Sequence, residues 1–92
     1  MTKRMKETGR YYLGLYRRSN ATRIEDVYKK CSKEKSSSFW QITYEMRKLG
    51  GENIRVLTHN TYKYTCAYML GNMFIVHTPT NRYVFDLADL NG

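Results

Sequence analysis

Acidic residues are scarce in this chain: eight Asp and Glu stand against sixteen Lys and Arg, for a formal net charge of +8. A balance so far to one side points away from cationic partners and toward a polyanion. Proline is nearly absent, with Pro79 alone, so helices and strands run without the interruptions it would impose. Two cysteines, Cys31 and Cys66, are too few and too far apart for a disulfide framework and read as thiols in a reducing compartment. Long apolar runs are missing as well. The longest candidate, Cys66 to Leu70, falls far short of the ~18–20 residues needed to cross a bilayer. Lys3, Arg4 and Lys6 make a basic start with no apolar stretch behind it, so no secretory signal is expected, and the reading is a cytoplasmic protein without a membrane partner. The glycosylation triplet Asn20-Ala21-Thr22 is then a chance match.

What is present suffices for one fold. The 92 residues support a single domain with a modest core, and apolar residues make up 41% of them. Nine Tyr, three Phe and one Trp supply the bulk, so aromatic packing is expected to carry much of the interior. The charge is uneven. Residues 1–37 hold eleven Lys and Arg against four Asp and Glu, while residues 38–92 hold five against four. One electropositive face is the functional expectation, and a solubilising surface is the bland alternative.

Residues 1–9 show no apolar period and read as a flexible basic arm. Tyr11 to Tyr16 alternates weakly and is rich in β-formers, which predicts a strand, with Gly14 marking a bulge or a close backbone approach. Ser19-Asn20 then turns the chain. Thr22 and Glu25 form a capping box ahead of a helix with Ile24, Val27, Tyr28 and Cys31 on one stripe. Ser37 or Ser38 caps a second helix, on which Phe39, Ile42, Met46 and Leu49 recur at helical spacing. Gly50-Gly51 stops it. From Asn53 the period becomes two. Strands are predicted over Ile54–His59, Tyr62–Leu70, Met73–Thr78 and Arg82–Leu87, with Gly71-Asn72 as a hairpin reversal and Ala88–Gly92 as a frayed end. The order β-α-α-β-β-β-β gives an α+β fold, two helices on one face of an antiparallel meander.

Three constellations could carry chemistry. The first is basic and aromatic: Arg10, Tyr11, Tyr12, Tyr16, Arg17 and Arg18, continued by Arg23, Lys29, Lys30, Lys33 and Lys35. Arginine pairs bidentately with phosphate, and an exposed tyrosine ring stacks on an unpaired base, so RNA held by its phosphate backbone is the expected partner. The competing reading places Tyr12 and Tyr16 in the core. The second is His59 and His77 with Arg55, Lys63, Tyr64 and Arg82, which suits metal-free acid–base cleavage of RNA. An isolated strand histidine is more often structural, so no catalytic residue is assigned. The third is metal: Cys31, His59, Cys66 and His77 have the right atoms for zinc but no chelating spacing, and no metal site is expected. No cofactor is expected either, because phosphate-loop and dinucleotide fingerprints are missing.

In length, charge and element order the chain resembles the RelE-type ribosome-associated endoribonuclease toxins. That resemblance implies a metal-free endoribonuclease, although the family's Arg and Tyr/His pattern near the C-terminus is not matched here, where Asp86 and Asp89 stand instead. In its Lys-, Tyr-, Met- and Asn-rich style it is also similar to the small early proteins of T-even-like bacteriophages. That similarity implies an accessory factor that binds RNA and neutralises a host toxin or nuclease, with a protein-docking inhibitor as the alternative. A homo-oligomer is compatible with either.

Overall fold

The computed structural model describes residues 2–20, 37–51, 53–57, 65–78 and 81–91. Helix α1 spans Lys3–Arg18, helix α2 spans Ser37–Leu49, and four strands follow: β1 Arg55–Leu57, β2 Thr65–Leu70, β3 Met73–His77 and β4 Arg82–Asp86. A short helix α3, Leu87–Asn91, comes directly after β4. The strands form one antiparallel sheet in the order β1-β2-β3-β4, so the α+β class and the meander stand as the periodicity predicts. The expected helix after Thr22 lies outside the described residues.

The N-terminal third departs from expectation. Residues 3–9 of the expected arm and the expected strand Tyr11–Tyr16 are instead one continuous helix. Thr2 starts it: the threonine hydroxyl accepts from the Met5 amide at 3.2 Å and satisfies one of the donors a helix leaves open. Gly9, Tyr12, Leu13 and Tyr16 recur at helical spacing and are all buried. At the other end the Tyr16 carbonyl accepts from the backbone and hydroxyl of Ser19 and from Nη1 of Arg55. The Arg55 guanidinium also lies 4.3 Å from the centre of the Tyr16 ring, a cation placed where the helix dipole is negative.

Helix α1 covers one face of the sheet. Tyr12, Leu13 and Tyr16 pack with Leu57, Ala67, Phe74, Val76 and Phe85, and α3 adds Leu90. Helix α2 covers the opposite face, where Met46 meets Ile54, Cys66, Tyr68 and Ile75. Its buried side is rotated from the expected stripe: Thr43 and Met46 are fully buried, whereas Leu49 is half exposed. Because both faces are covered, Thr65, Cys66, Ala67 and Tyr68 are buried one after another, with no polar alternation. Gly50 ends α2 at a φ of 68°, and the amides of Gly50 and Gly51 donate to the carbonyls of Arg47 and Met46, the pairing that closes a helix on a left-handed residue. The meander turns at Gly71-Asn72 as predicted.

The C-terminal end is ordered rather than frayed. Asp86 Oδ1 accepts from the Ala88 amide at 2.9 Å and so starts α3. Leu90 then reaches Gly9 of α1, where the absence of a side chain admits Leu90 and the Phe85 ring. No helix among the described residues is long and apolar enough to cross a membrane.

Candidate nucleic-acid interface

The sheet-facing stripe of α1 takes up one side of the helix and leaves the other to charge. At 100° per residue, Lys3, Lys6, Arg10 and Arg17 fall along one flank of the outer surface, while Arg4, Tyr11 and Arg18 fall along a second row beside it. Six cations thus project from sixteen residues with Glu7 as the sole carboxylate. Lys3, Arg4, Arg17 and Arg18 are exposed, and Tyr11 among them is 50% exposed. The helix is about 24 Å long at ~1.5 Å rise per residue, long enough to follow several phosphates of a nucleic-acid strand.

Of the residues the sequence singles out, Arg17 and Arg18 lie on this surface and are exposed. Arg10 lies on it too, but its Nε donates to the Leu90 carbonyl at 3.2 Å, which ties it to the end of α3. Tyr12 and Tyr16 are corrected: at 7% and 5% exposure they belong to the core, and neither ring is available to a base. Tyr12 packs on Tyr83 and Tyr16 on Phe74, and the Tyr16 hydroxyl donates to the Asn53 carbonyl at 3.0 Å. Arg23, Lys29, Lys30, Lys33 and Lys35 lie outside the described residues. Tyr11 of the expected cluster lies on the outer surface of α1, whereas sequence reasoning missed Lys3, Arg4 and Lys6 as part of the same surface. The signal was the seven-residue recurrence Arg4, Tyr11, Arg18, visible only if the segment is read as helix.

A second polar cluster lies on the α2 side of the sheet. His77 is 5% exposed and stacks on the Tyr68 ring with centroids 5.7 Å apart and planes 10° from parallel. The Tyr68 hydroxyl and His77 Nε2 are 3.5 Å apart, at the long limit of a hydrogen bond. Arg82 is the β4 residue directly opposite His77, and its guanidinium reaches the Tyr68 hydroxyl. Burial lowers the imidazole pKa, Arg82 lowers it further, and Glu45 on α2 partly opposes both. Burial also raises the Tyr68 phenol, against the pull of Arg82. A cleft of about 360 Å³ opens nearby, lined by Glu45, Lys48, Leu49 and Arg82.

The cleavage constellation is therefore divided. His77 and Arg82 lie on the α2 face, whereas Arg55 lies on the α1 face, bound to Tyr16. His59, Lys63 and Tyr64 lie outside the described residues. The His77 imidazole is buried and stacked on the Tyr68 ring, and burial disfavours its charged form. Cys66 and His77 are direct cross-strand partners, yet no group of three metal-ligating side chains forms among the described residues.

The lowered imidazole pKa has a thermodynamic consequence. Below the ordinary value near 6.5 the unfolded chain binds a proton that the folded chain refuses, so stability falls as pH falls from there toward the folded value. Thermal melts from pH 7.5 to pH 5 should show a declining midpoint, and His77→Gln should flatten the decline. A wild-type midpoint that holds steady across the interval, or an equal slope in the variant, would contradict this reading.

Compared with protein-family models, with curated proteins and with solved structures, the chain matches none.

Proposed function

We propose that this protein binds RNA through the outer face of α1, with the phosphate backbone as the main determinant and no strong base preference. The observation that supports the reading is the composition of that face. Lys3, Arg4, Lys6, Arg17 and Arg18 share it with Tyr11, which lies midway along the Arg4–Arg18 row, and Glu7, between the two rows, is its only anion. A solubilising surface intersperses both signs of charge; this one is nearly uniform. Multiple cations along one edge neutralise successive phosphates and release counterions. The half-exposed Tyr11 ring offers a stacking platform that every base can use, which favours unpaired RNA over a closed duplex.

Fluorescence anisotropy with a labelled single-stranded RNA, measured over a series of salt concentrations, tests the proposal. Affinity should fall steeply with salt, and Arg17→Gln with Arg18→Gln should make the log–log slope shallower by roughly 0.7 for each phosphate contact removed. Tyr11→Ala should weaken binding by about five- to a hundredfold, the worth of one stacked base. A salt-independent affinity would end the proposal. So would a stoichiometric complex with another protein that survives nuclease treatment while the purified chain ignores RNA.

A further inference from the structure

Strand β4 is one of the two outer strands of the sheet, and its second side, unpaired among the described residues, carries a pattern complementary to its own reverse. The bonds that flank the β3–β4 ladder set which of its groups face outward. The Thr78 amide donates to the Asn81 carbonyl at 2.8 Å, and the Leu87 amide donates to the Asn72 carbonyl at 2.9 Å. Hydrogen-bonded pairs alternate with non-bonded ones, so the backbone groups of Tyr83 and Phe85 turn toward β3. Those of Arg82 and Val84, and the amide of Asp86, turn away from it, toward the open edge.

The side chains at these outward positions are Arg82, Val84 and Asp86, all exposed, with Val84 at 46%. A second β4 laid antiparallel with Val84 opposite Val84 sets Arg82 opposite Asp86 at one end and Asp86 opposite Arg82 at the other. On the reverse side the same register sets Tyr83 opposite Phe85, an aromatic cross-strand pair. Edge strands that avoid association usually carry proline, lysine or a bulge; Arg82–Asp86 has neither proline nor lysine, and its pairing with β3 runs in unbroken register. Its two charges are opposite and equidistant from the centre. Across a two-fold axis Arg82, turned from the Tyr68 hydroxyl, therefore meets the second carboxylate oxygen of Asp86, the first being held by the Ala88 amide, instead of a like charge.

We infer that β4 pairs with β4 of a second copy of this chain, antiparallel and centred on Val84, to form a symmetric dimer with one continuous eight-stranded sheet. Directly opposed residues share a face, so the two-fold axis stands perpendicular to the sheet and both α1 helices lie on the same side. The dimer then carries two basic helices on one surface. That last consequence rests on the RNA reading, whereas the dimer itself does not.

The test measures mass against concentration for the full chain, by light scattering or sedimentation, after nuclease treatment and in moderate salt. Wild type should show a concentration-dependent dimer. Val84→Pro removes only an amide that faces the open edge and leaves the β3 ladder intact, so it should yield a monomer whose circular dichroism is that of the wild type. Arg82→Asp and Asp86→Arg each place like charges opposite one another twice, and each should weaken self-association by about tenfold. An equimolar mixture of those two variants should recover the dimer, because every opposed pair in the mixed species is again plus against minus. A wild-type monomer at every concentration overturns the inference. So does a Val84→Pro dimer as strong as wild type, or a mixture that associates no better than its components. RNA affinity is read separately, on the Val84→Pro monomer: retained salt-dependent binding with dimerisation lost, or the converse, tells the two proposals apart.

Discussion

Phe85→Ala should lower the thermal midpoint by roughly 15–30 °C, from a loss of about 3–5 kcal/mol, the range for truncating a buried aromatic side chain. Phe85 has no exposed surface and sits where three elements meet. Its ring stacks beside Phe74 at 6.2 Å and Tyr83 at 6.0 Å, and it faces the backbone of α1 at Gly9. A small domain holds only about 5–15 kcal/mol in total, so the variant should be partly unfolded at body temperature. The void cannot be filled by a simple shift, because its walls are a helix backbone and two ring systems. Denaturant titration gives the loss directly. A value under ~1 kcal/mol would mean that α1 does not seat on the sheet at this point.

The second large effect has the opposite geometry, excess volume at Gly9. A Cβ there would lie 2.7 Å from Leu90 Cδ2 and 2.8 and 2.9 Å from two atoms of the Phe85 ring. On propensity alone alanine should stabilise α1 by about 1 kcal/mol relative to glycine. Overpacking costs about 1–3 kcal/mol, so the net sign for Gly9→Ala should be destabilising, by a small margin. Gly9→Val adds two methyl groups to the same contact and should cost more than ~3 kcal/mol. Pairing Gly9→Ala with Leu90→Ala separates this cause from others. Since each change relieves the other, their combined loss should be less than the sum of the two singly. Strict additivity, or a Gly9→Ala variant more stable than wild type, would show that α1 and α3 are not in contact.

The same glycine explains why α1 was hidden in the sequence. Its buried stripe is Gly9, Tyr12, Leu13 and Tyr16, and the first member has no side chain to register as apolar. Within Tyr11–Tyr16 alone, Tyr11, Leu13 and Leu15 fall on alternate positions and fit a strand as well as a helix, and short windows favour the strand because tyrosine is a β-former. Tertiary contact decided the matter: a helix turns Gly9, Tyr12, Leu13 and Tyr16 all toward the sheet, whereas a strand would send Gly9 and Leu13 to the opposite face. By contrast, α2 carried its own stop in Gly50-Gly51, and the β2–β3 hairpin carried its own reversal in Gly71-Asn72. Local chemistry specified both. The N-terminal excess of positive charge was also legible, but which side chains met on one surface depended on the period, and the wrong period paired Arg10 and Arg17 with two core tyrosines. His77 and Arg82 were rightly grouped, since hairpin register alone makes them neighbours. Arg55 was wrongly joined to them because residues on one sheet can face opposite layers.

Helix α1 rests on Phe74, Val76, Phe85 and Leu90, residues drawn from the far end of the chain. During synthesis the segment that becomes α1 leaves the ribosome before any of those side chains exist. Its Tyr12, Leu13 and Tyr16 stripe must wait, uncovered, until β3, β4 and α3 have followed it out. Seating of α1 is therefore slow relative to a helical hairpin of equal length, since its decisive contacts close loops of about sixty to seventy residues. A chain cut short before β3 would display an amphipathic, strongly cationic segment without the Phe74, Val76 and Phe85 side chains it lies against, and that truncated form would be prone to aggregate.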